Sequence, residues 1–435
     1  MSERLEVVAV VGLGYVGLPL ALCFAERGTQ VIGVDVDEGK AAALNRGQSY
    51  LRHVPAKRIA AAFESGRFTA TTQFGTLRDC TAIIVAVPTP LTPTREPDLT
   101  FVVDATNAIA PYLAKGMVVS LESTTYPGTT REEVIPVLER VSGLEAGVDF
   151  NVLFSPERED PGNARYSTSN IPKVVGGLTP ACLERGIALY RRAVDEVVKV
   201  STLEAAEMTK LLENIFRAVN IAMVNEMKVL AHRFTDAGRP IDIHEVINAA
   251  STKPFGFMPF RPGPGLGGHC IPIDPFYLTW KARQFDFSTR FIELAGEINT
   301  SMPYYVVNRV MRALSERRKP LASADVLLVG VAYKSDVEDV RESPSLKLIE
   351  LLLSHGARVG YHDPYVETVA VERGAVSMQT EPLTAERVAR ADAVLIATAH
   401  RCVDYRLIAD HAQLVVDTRD AMRQSGIAPE RLVKA

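Results

Sequence analysis

The sequence predicts an α/β protein of two doubly wound parallel-sheet domains joined by a long central helix. Three observations carry that expectation. Short continuous apolar runs alternate with helical stretches from Val7 to Phe154, the same alternation restarts at Asp325, and between them a helix-favouring stretch runs from Ser201 to about Phe234 without Gly or Pro. Apolar runs of this kind, bounded by Gly, Pro or polar residues, mark strands buried on both faces, as in a parallel sheet covered by helices.

In the first half, Val7–Val11 feeds directly into Gly12-Leu13-Gly14-Tyr15-Val16-Gly17 and an apolar helix pattern, and a second strand, Gln30–Val34, ends at Asp35. Further strands are expected at Ala82–Val87, Met117–Leu121 and Asn151–Phe154. Ligands of such folds lie beyond the carboxyl ends of the strands. That singles out Pro88-Thr89-Pro90, the run from Glu122 to Gly128 with Ser123 and Thr124, and the run from Ser155 to Asp160 with Glu157 and Arg158. In the second half DVLLVGVAY, RVGYHDP, ADAVLIATA and LVVDTR supply strands and a helix follows Pro344, so the chain reads as two Rossmann-like units.

Ser201 with Glu204 forms a capping box for the central helix, which should be about 45 to 50 Å long at 1.5 Å per residue. Its apolar positions are too many for one narrow face, so it is expected to link two domains and to pack against a second copy, giving a homodimer or a higher oligomer. Pro254 to Pro275 is crowded with Gly and Pro and reads as an irregular functional loop.

Composition excludes several classes. A chain of 435 residues exceeds the size of a single core, and 47% hydrophobic against 23% charged residues is ordinary for a globular protein. No apolar run is long enough to cross a bilayer, and Met1 to Glu6 has no secretory character, so a soluble, cytoplasmic protein is expected. The 48 basic and 52 acidic residues, without long blocks of either sign, argue against a nucleic-acid partner. Five cysteines, at 23, 80, 182, 270 and 402, are odd in number and lack a C-x-x-C pair, so neither a disulfide framework nor a metal site is expected.

Three glycines alone are weak evidence, and a plain turn is the bland reading. Here they follow a strand, open a helix and precede Asp35 by about twenty residues. Gly12 permits the tight turn, Gly14 lets a pyrophosphate approach the backbone, and Gly17 lets helix pack on strand, while Asp35 would bond ribose hydroxyls and repel a 2′-phosphate. NAD is favoured over NADP.

Cys270 sits between flexible glycines and a helix start at which Asp274 resembles an N-cap and Pro275 a first helical residue. A helix N-terminus stabilises thiolate, so this is a nucleophile's setting. A buried structural role is the better reading for Cys23, Cys80 and Cys182, with Cys402 an outside candidate. On the long helix, Lys210 and Asn214 share a face, and an ammonium there would stabilise a developing oxyanion. Such a pair is ordinarily surface decoration, and Glu213 and Arg217 nearby improve its odds by anchoring the helix.

With GLGYVGLPLA, ESTTYPGTT, SPER, KLLENIFRAVN, GGHCIPIDP and GVAYK with RESP in this order, the chain resembles the UDP-glucose/GDP-mannose dehydrogenase family over essentially its whole length. The resemblance implies an NAD-binding domain over 1–200, a central dimerisation and catalytic domain over 201–310, and a UDP-sugar-binding domain over 311–435. It implies Cys270 as nucleophile with Lys210, Asn214 and Asp274 around it, and Thr124 and Glu157 for the catalytic water and proton transfer. Substrate contacts are implied for Glu157, Arg158, Lys210, Asn214, Gly267, Lys334 and Arg419, with Arg341 a weaker match, and cofactor contacts for Tyr15, Val16, Pro88, Thr89, Ser123 and Thr124 beside the glycines and Asp35. His269 is given a loop-shaping role.

The implied chemistry is a four-electron oxidation of the sugar's 6-hydroxymethyl to a carboxylate through a cysteine thiohemiacetal and thioester. Glu157-Arg158-Glu159-Asp160-Pro161-Gly162 departs from the glucose-oxidising pattern, and PTPLTPTREPDL with the stretch from Lys253 to Ala282 resembles UDP-N-acetylglucosamine 6-dehydrogenases most, then UDP-N-acetylmannosamine dehydrogenases. Arg158 would bond an acetamido carbonyl or pair with Glu159 or Asp160. Two competing readings remain: a two-electron hydroxy-acid dehydrogenase, which needs no reactive cysteine, and a non-catalytic nucleotide-binding protein, which the Cys270, Lys210 and Asp274 set speaks against.

Overall fold

Strand β1 (Val7–Val11) shows why its sequence is apolar throughout. Val8 and Val10 are buried with Leu18, Leu20 and Leu22 of the helix Gly17–Glu26, while Ala9 and Val11 are buried in a second cluster with Val102 and Leu138 of the helices Thr100–Ile109 and Ile135–Ser142. Successive side chains leave opposite faces of a strand, so a sheet covered by helices on both sides needs an apolar residue at every position.

The computed structural model describes residues 7–92, 94, 96–158, 165–268, 271, 273–371, 374–427 and 431–435. The chain forms two compact units, the first comprising Met1–Glu213 and Phe276–Phe287, the second Asn214–Pro275 and Ser288–Ala435. The first is built on an eight-stranded sheet. Its strands after β1 are β2 (Gln30–Val34), β3 (Phe68–Thr71), β4 (Ala82–Val85), β5 (Val118–Leu121), β6 (Asn151–Phe154), β7 (Lys173–Gly177) and β8 (Val197–Lys199), in the order 3-2-1-4-5-6-7-8. Strands 3-2-1-4-5-6 are parallel, β7 is antiparallel to β6, and the strand order reverses between β1 and β4, where such sheets bind their ligands. Strand β4 stops at Val85, short of the expected Val87, because the Val87 N–H turns to the Ser123 hydroxyl at 3.0 Å instead of continuing the ladder.

In the second unit, β9 (Asp325–Val329), β10 (Arg358–His362), β13 (Ala393–Ile396), β14 (Val415–Asp417) and β15 (Leu432–Lys434) form a parallel sheet in the order 10-9-13-14-15, and β11 (Thr368–Val371) pairs antiparallel with β12 (Val376–Gln379). The split of buried faces recurs: Val326 and Leu328 pack with Leu348 and Leu352 of the helix Pro344–Ser354, while Leu327 and Val329 pack with Val388 and Ile408 on the other side. The two doubly wound sheets are as the sequence predicts.

The central helix spans Leu203–Asp236, 34 residues and about 50 Å. Its cap differs from expectation. Thr202, not Ser201, accepts from Ala205 N–H at 3.0 Å, and Glu204 pairs with Arg131 instead of completing a capping box. At spacings of three, four, eleven and three residues, which all return to one face, Glu207, Lys210, Asn214, Asn225 and Lys228 form one buried polar stripe, none more than 6% exposed. Met208, Leu212, Phe216, Met223, Met227, Leu230 and Phe234 form an exposed apolar stripe. Among the described residues, no helix is long and apolar enough to cross a membrane.

Beneath the sheet of the first unit, Glu122 is 1% exposed and takes Lys173 Nζ at 2.6 Å and the Tyr190 hydroxyl at 2.6 Å; Lys173 also donates to Pro156 O at 3.2 Å. This ties β7 to the ends of β5 and β6. A buried carboxylate left without its cation costs about 3–5 kcal/mol. Lys173→Met is therefore expected to lower stability by that amount, with urea denaturation as the measurement, whereas Lys173→Met combined with Glu122→Gln should recover part of the loss.

Candidate active site

The glycine turn after β1 divides its three glycines by physical cause. Gly12 holds φ at +92°, and a Cβ there would lie 2.4 Å from Ala86 O; a Cβ on Gly17 would lie 1.8 Å from Gly12 O. Both are demanded by the fold. A Cβ on Gly14 would meet nothing within 4 Å, so protein packing does not require that glycine, and the open space before it could admit a ligand. The helix that follows carries no side-chain cap; its Leu18 N–H donates to Gly14 O at 3.2 Å and Pro19 has no N–H, so an anion at this helix start would be met by the N–H groups of the glycine turn. Asp35 closes the crevice at the end of β2. Its Oδ2 accepts from Leu13 N–H at 2.8 Å and its Oδ1 from Asp37 N–H at 3.0 Å, which aims the carboxylate, and Lys40 lies 3.5 Å away. These residues fit a dinucleotide.

Around the crevice, Ser123 donates to Val87 O at 2.7 Å and accepts from Val87 N–H, so it holds the Pro88-Thr89 loop in place. Thr89 is buried and Pro88 exposed, and the Tyr277 hydroxyl donates to Pro90 O at 3.0 Å. Tyr15 stacks on His53 with centroids 5.1 Å apart. Val16 lines a pocket together with Glu157, Arg158, Pro172 and Lys173, so the glycine turn and the SPER run share one concavity within the first unit.

Glu157 Oε2 lies 3.3 Å from Lys210 Nζ, and its Oε1 is buried without a hydrogen-bond partner among the described residues. An ammonium beside a carboxylate with an open acceptor suits proton transfer. For Arg158 the partners expected from sequence, Glu159 and Asp160, lie outside the described residues. The Arg158 guanidinium donates to Pro172 O at 2.7 Å and pairs with Glu213 at 2.7 Å, so it fastens the SPER run to the long helix, and Glu213 anchors that helix as expected. Thr124 follows β5, half-buried. Its loop is held by Glu207, a residue sequence reasoning missed, which accepts from Gly128 N–H at 2.6 Å, Thr130 N–H at 2.9 Å and the Thr130 hydroxyl at 2.7 Å. The signal for it was spacing: Glu207 precedes Lys210 by three residues on the same face.

In the second unit, Asn214 Nδ2 donates to Asp274 Oδ2 at 2.5 Å, both side chains being buried. The helix Asp274–Ala282 begins at that carboxylate. Cys270 and His269, together with Glu159 to Gly162, lie outside the described residues. Cys23, Cys80 and Cys182 are buried and Cys402 is exposed; none of these four forms a disulfide. Gly267 is demanded by packing, since a Cβ would lie 2.7 Å from Tyr333 Cβ and 2.9 Å from Pro344 Cδ. Lys334 follows β9, half-buried. Arg341 is engaged by Asp339, with N···O contacts of 2.6 to 3.1 Å. Arg419 donates to Ala397 O at 2.9 Å, and burial pulls its pKa down to about 10. Among the described residues, no group of three or more His, Cys, Asp or Glu side chains could hold a metal ion.

Comparison with known proteins finds three domains of the UDP-glucose/GDP-mannose dehydrogenase family in order along the chain: the NAD binding domain matches residues 6–194, the central domain 204–301 and the UDP binding domain 327–424. A UDP-N-acetyl-D-glucosamine 6-dehydrogenase of Pseudomonas aeruginosa is 38% identical over 396 residues, 90% of each protein. A UDP-N-acetyl-D-mannosamine dehydrogenase of Pyrococcus horikoshii is 33% identical over 423 residues, 96% of each. The solved structure of UDP-D-ManNAc dehydrogenase from Pyrococcus horikoshii matches with a TM-score of 0.88 at 31% identity, covering 99% of this chain and 98% of that one.

The glycine geometry separates binding from folding. Gly14→Ala should leave the melting temperature within about 2 °C and weaken NAD binding at least ~10-fold, while Gly17→Ala should fold poorly, because its Cβ has no room against Gly12 O. Calorimetry of folding and of NAD binding on both variants checks this, and equal effects on the two would contradict it.

Proposed function

The chain belongs to the UDP-glucose/GDP-mannose dehydrogenase family and is an NAD-dependent nucleotide-sugar dehydrogenase; from that premise we propose that its substrate is UDP-N-acetylglucosamine, oxidised at C6 to the uronic acid. One observation carries the chemistry. On a single turn of the long helix, Lys210 and Asn214 are both buried and each is held by a carboxylate, Glu157 and Asp274. Burying an ammonium and an amide is costly unless each is paired, as here, and paired buried groups of this kind beside a crevice are candidates for catalysis.

NAD, when bound, supplies the hydride acceptor. In the proposed sequence the C6 hydroxyl gives up a hydride and a proton to become an aldehyde, and Glu157 with its open Oε1 assists the proton's departure. The Cys270 sulfur then forms a bond to the aldehyde carbon, and the Lys210 ammonium stabilises the oxygen of the thiohemiacetal. Loss of a second hydride from the same carbon leaves a thioester. Water held by Thr124, Asp274 and Lys210 adds to that carbon and the thiolate leaves, so alcohol, water and two NAD yield carboxylate, two NADH and three protons. We assign cofactor binding to 1–200, the catalytic middle to 201–310, and UDP binding to 311–435 with Lys334 and Arg419 on the nucleotide.

The acetamido branch is supported by the 38% identity to a UDP-N-acetyl-D-glucosamine 6-dehydrogenase. UDP-N-acetylmannosamine is the second reading, favoured by relatives of that name at 33% identity over more of the chain. A panel of UDP-hexoses decides between them. UDP-N-acetylglucosamine should give the highest kcat/KM with two NADH per sugar, one NADH per sugar would reject the four-electron route, and Cys270→Ser should lower uronate formation at least ~10³-fold.

Pairing of two copies through the long helix is part of this reading. Its support is the exposed apolar stripe, in which Leu212 is 64% exposed and Met227 45%. Light scattering should give the wild-type chain twice its own mass. Met227→Glu should shift it toward the single-chain mass, and a variant that stays paired would place the interface elsewhere.

A further inference from the structure

Two side chains on the buried face of the long helix are not used by the proposed chemistry. Asn225 and Lys228, 0% and 1% exposed, take both main-chain groups of Gly263. The Asn225 carbonyl accepts from Gly263 N–H at 2.9 Å, and Lys228 Nζ donates to Gly263 O at 3.2 Å. Asn225 is itself oriented, because its amide donates to Asn299 Oδ1 at 3.0 Å and the Asn299 amide donates to Ala218 O at 3.0 Å. In place of a side chain Gly263 has the Arg419 guanidinium, which a Cβ would approach to 2.3 Å.

The other end of the same loop is tied to the same helix by the Asn214–Asp274 contact. Eleven residues separate Asn214 from Asn225, and eleven separate Gly263 from Asp274. The helix sets its own span at about 16 Å, whereas eleven extended residues reach about 36 Å. Turns absorb the slack: Gly265 and Gly268 hold φ of +136° and +90°, and Gly268 N–H donates to Arg341 O at 3.0 Å. Burial beside Arg419 and Arg309 brings the Lys228 pKa down to about 7, so the lysine is a costly way to fill this space. Its bond to Gly263 O is the return.

We propose that Asn225 and Lys228 are positioning residues of the reaction, which hold Gly263 and thereby set both the register of the loop leading to Cys270 and the seat of Arg419. This rests on the dehydrogenase reading above. Gly263 lies between Pro262 and Pro264, neither of which has an N–H, so amide hydrogen exchange at that point reports Gly263 alone.

In Asn225→Ala and in Lys228→Met, Gly263 exchange should rise at least ~10-fold with protection elsewhere kept, and kcat should fall ~10- to 100-fold with KM changed less than ~3-fold. Unchanged exchange, raised exchange with kcat within ~2-fold of the parent, or a kcat loss that follows a general loss of protection would each overturn the proposal. A parent enzyme that forms no NADH from any UDP-hexose identifies the substrate reading as the failure, whereas an active parent beside equally active variants identifies this one.

Discussion

The helix Leu203–Asp236 buries a polar stripe among apolar residues such as Leu203, Leu211 and Val224, and it leaves a second, apolar stripe exposed, which a helix on a globular surface does not ordinarily do. A buried donor or acceptor without a partner costs about 1–3 kcal/mol, and more when charged. Glu207, Lys210, Asn214, Asn225 and Lys228 therefore require partners, which are the loop at Gly128 and Thr130, Glu157, Asp274 and Gly263. Within each unit, a segment with little regular structure of its own is held by hydrogen bonds to this helix, at Gly128 and Thr130 in the first and at Gly263 in the second.

The two parallel sheets share an architecture and differ in what their acidic strand ends can do. Asp35, at the end of β2, takes one backbone N–H on each carboxylate oxygen, which orients it and leaves acceptor capacity for a ribose. Asp363, at the end of β10, takes Val331 and Ala332 N–H on one oxygen, Tyr365 and Val366 N–H on the other, and His400 as well. Its capacity is consumed. The residues after β9 also lack the Gly14 arrangement. One fold thus presents a dinucleotide crevice in one unit and a differently constructed strand end in the other, in keeping with the NAD binding and UDP binding domains matched there.

Much of this was legible because the signals were local. Val7–Val11, Gln30–Val34 and Asn151–Phe154 form strands at the expected residues, since burial on both faces writes itself as a continuous apolar run. Gly12, Gly14 and Gly17 declared a turn whose three glycines have different causes. Long-range choices were not legible. The Arg158 guanidinium goes to Glu213 and Pro172 O, partners that only the fold brings near. Thr202 displaced Ser201 as cap because the helix begins one residue later than the motif suggested, and Glu204 was taken by Arg131.

Sequence alone determined the fold class, the family and the cofactor, because each is encoded in residue types at short fixed spacings: strand, turn, helix and an acid at the next strand end. The tertiary structure decided which polar residues work in pairs. Whether Asn225 was surface decoration or one half of a clamp, and whether Lys228 was a solvated charge or a buried donor, depended on contacts across 35 to 38 residues of chain. A hydrogen bond between distant segments has no periodicity to betray it, and it exists only once packing has excluded the water that would otherwise have satisfied both groups.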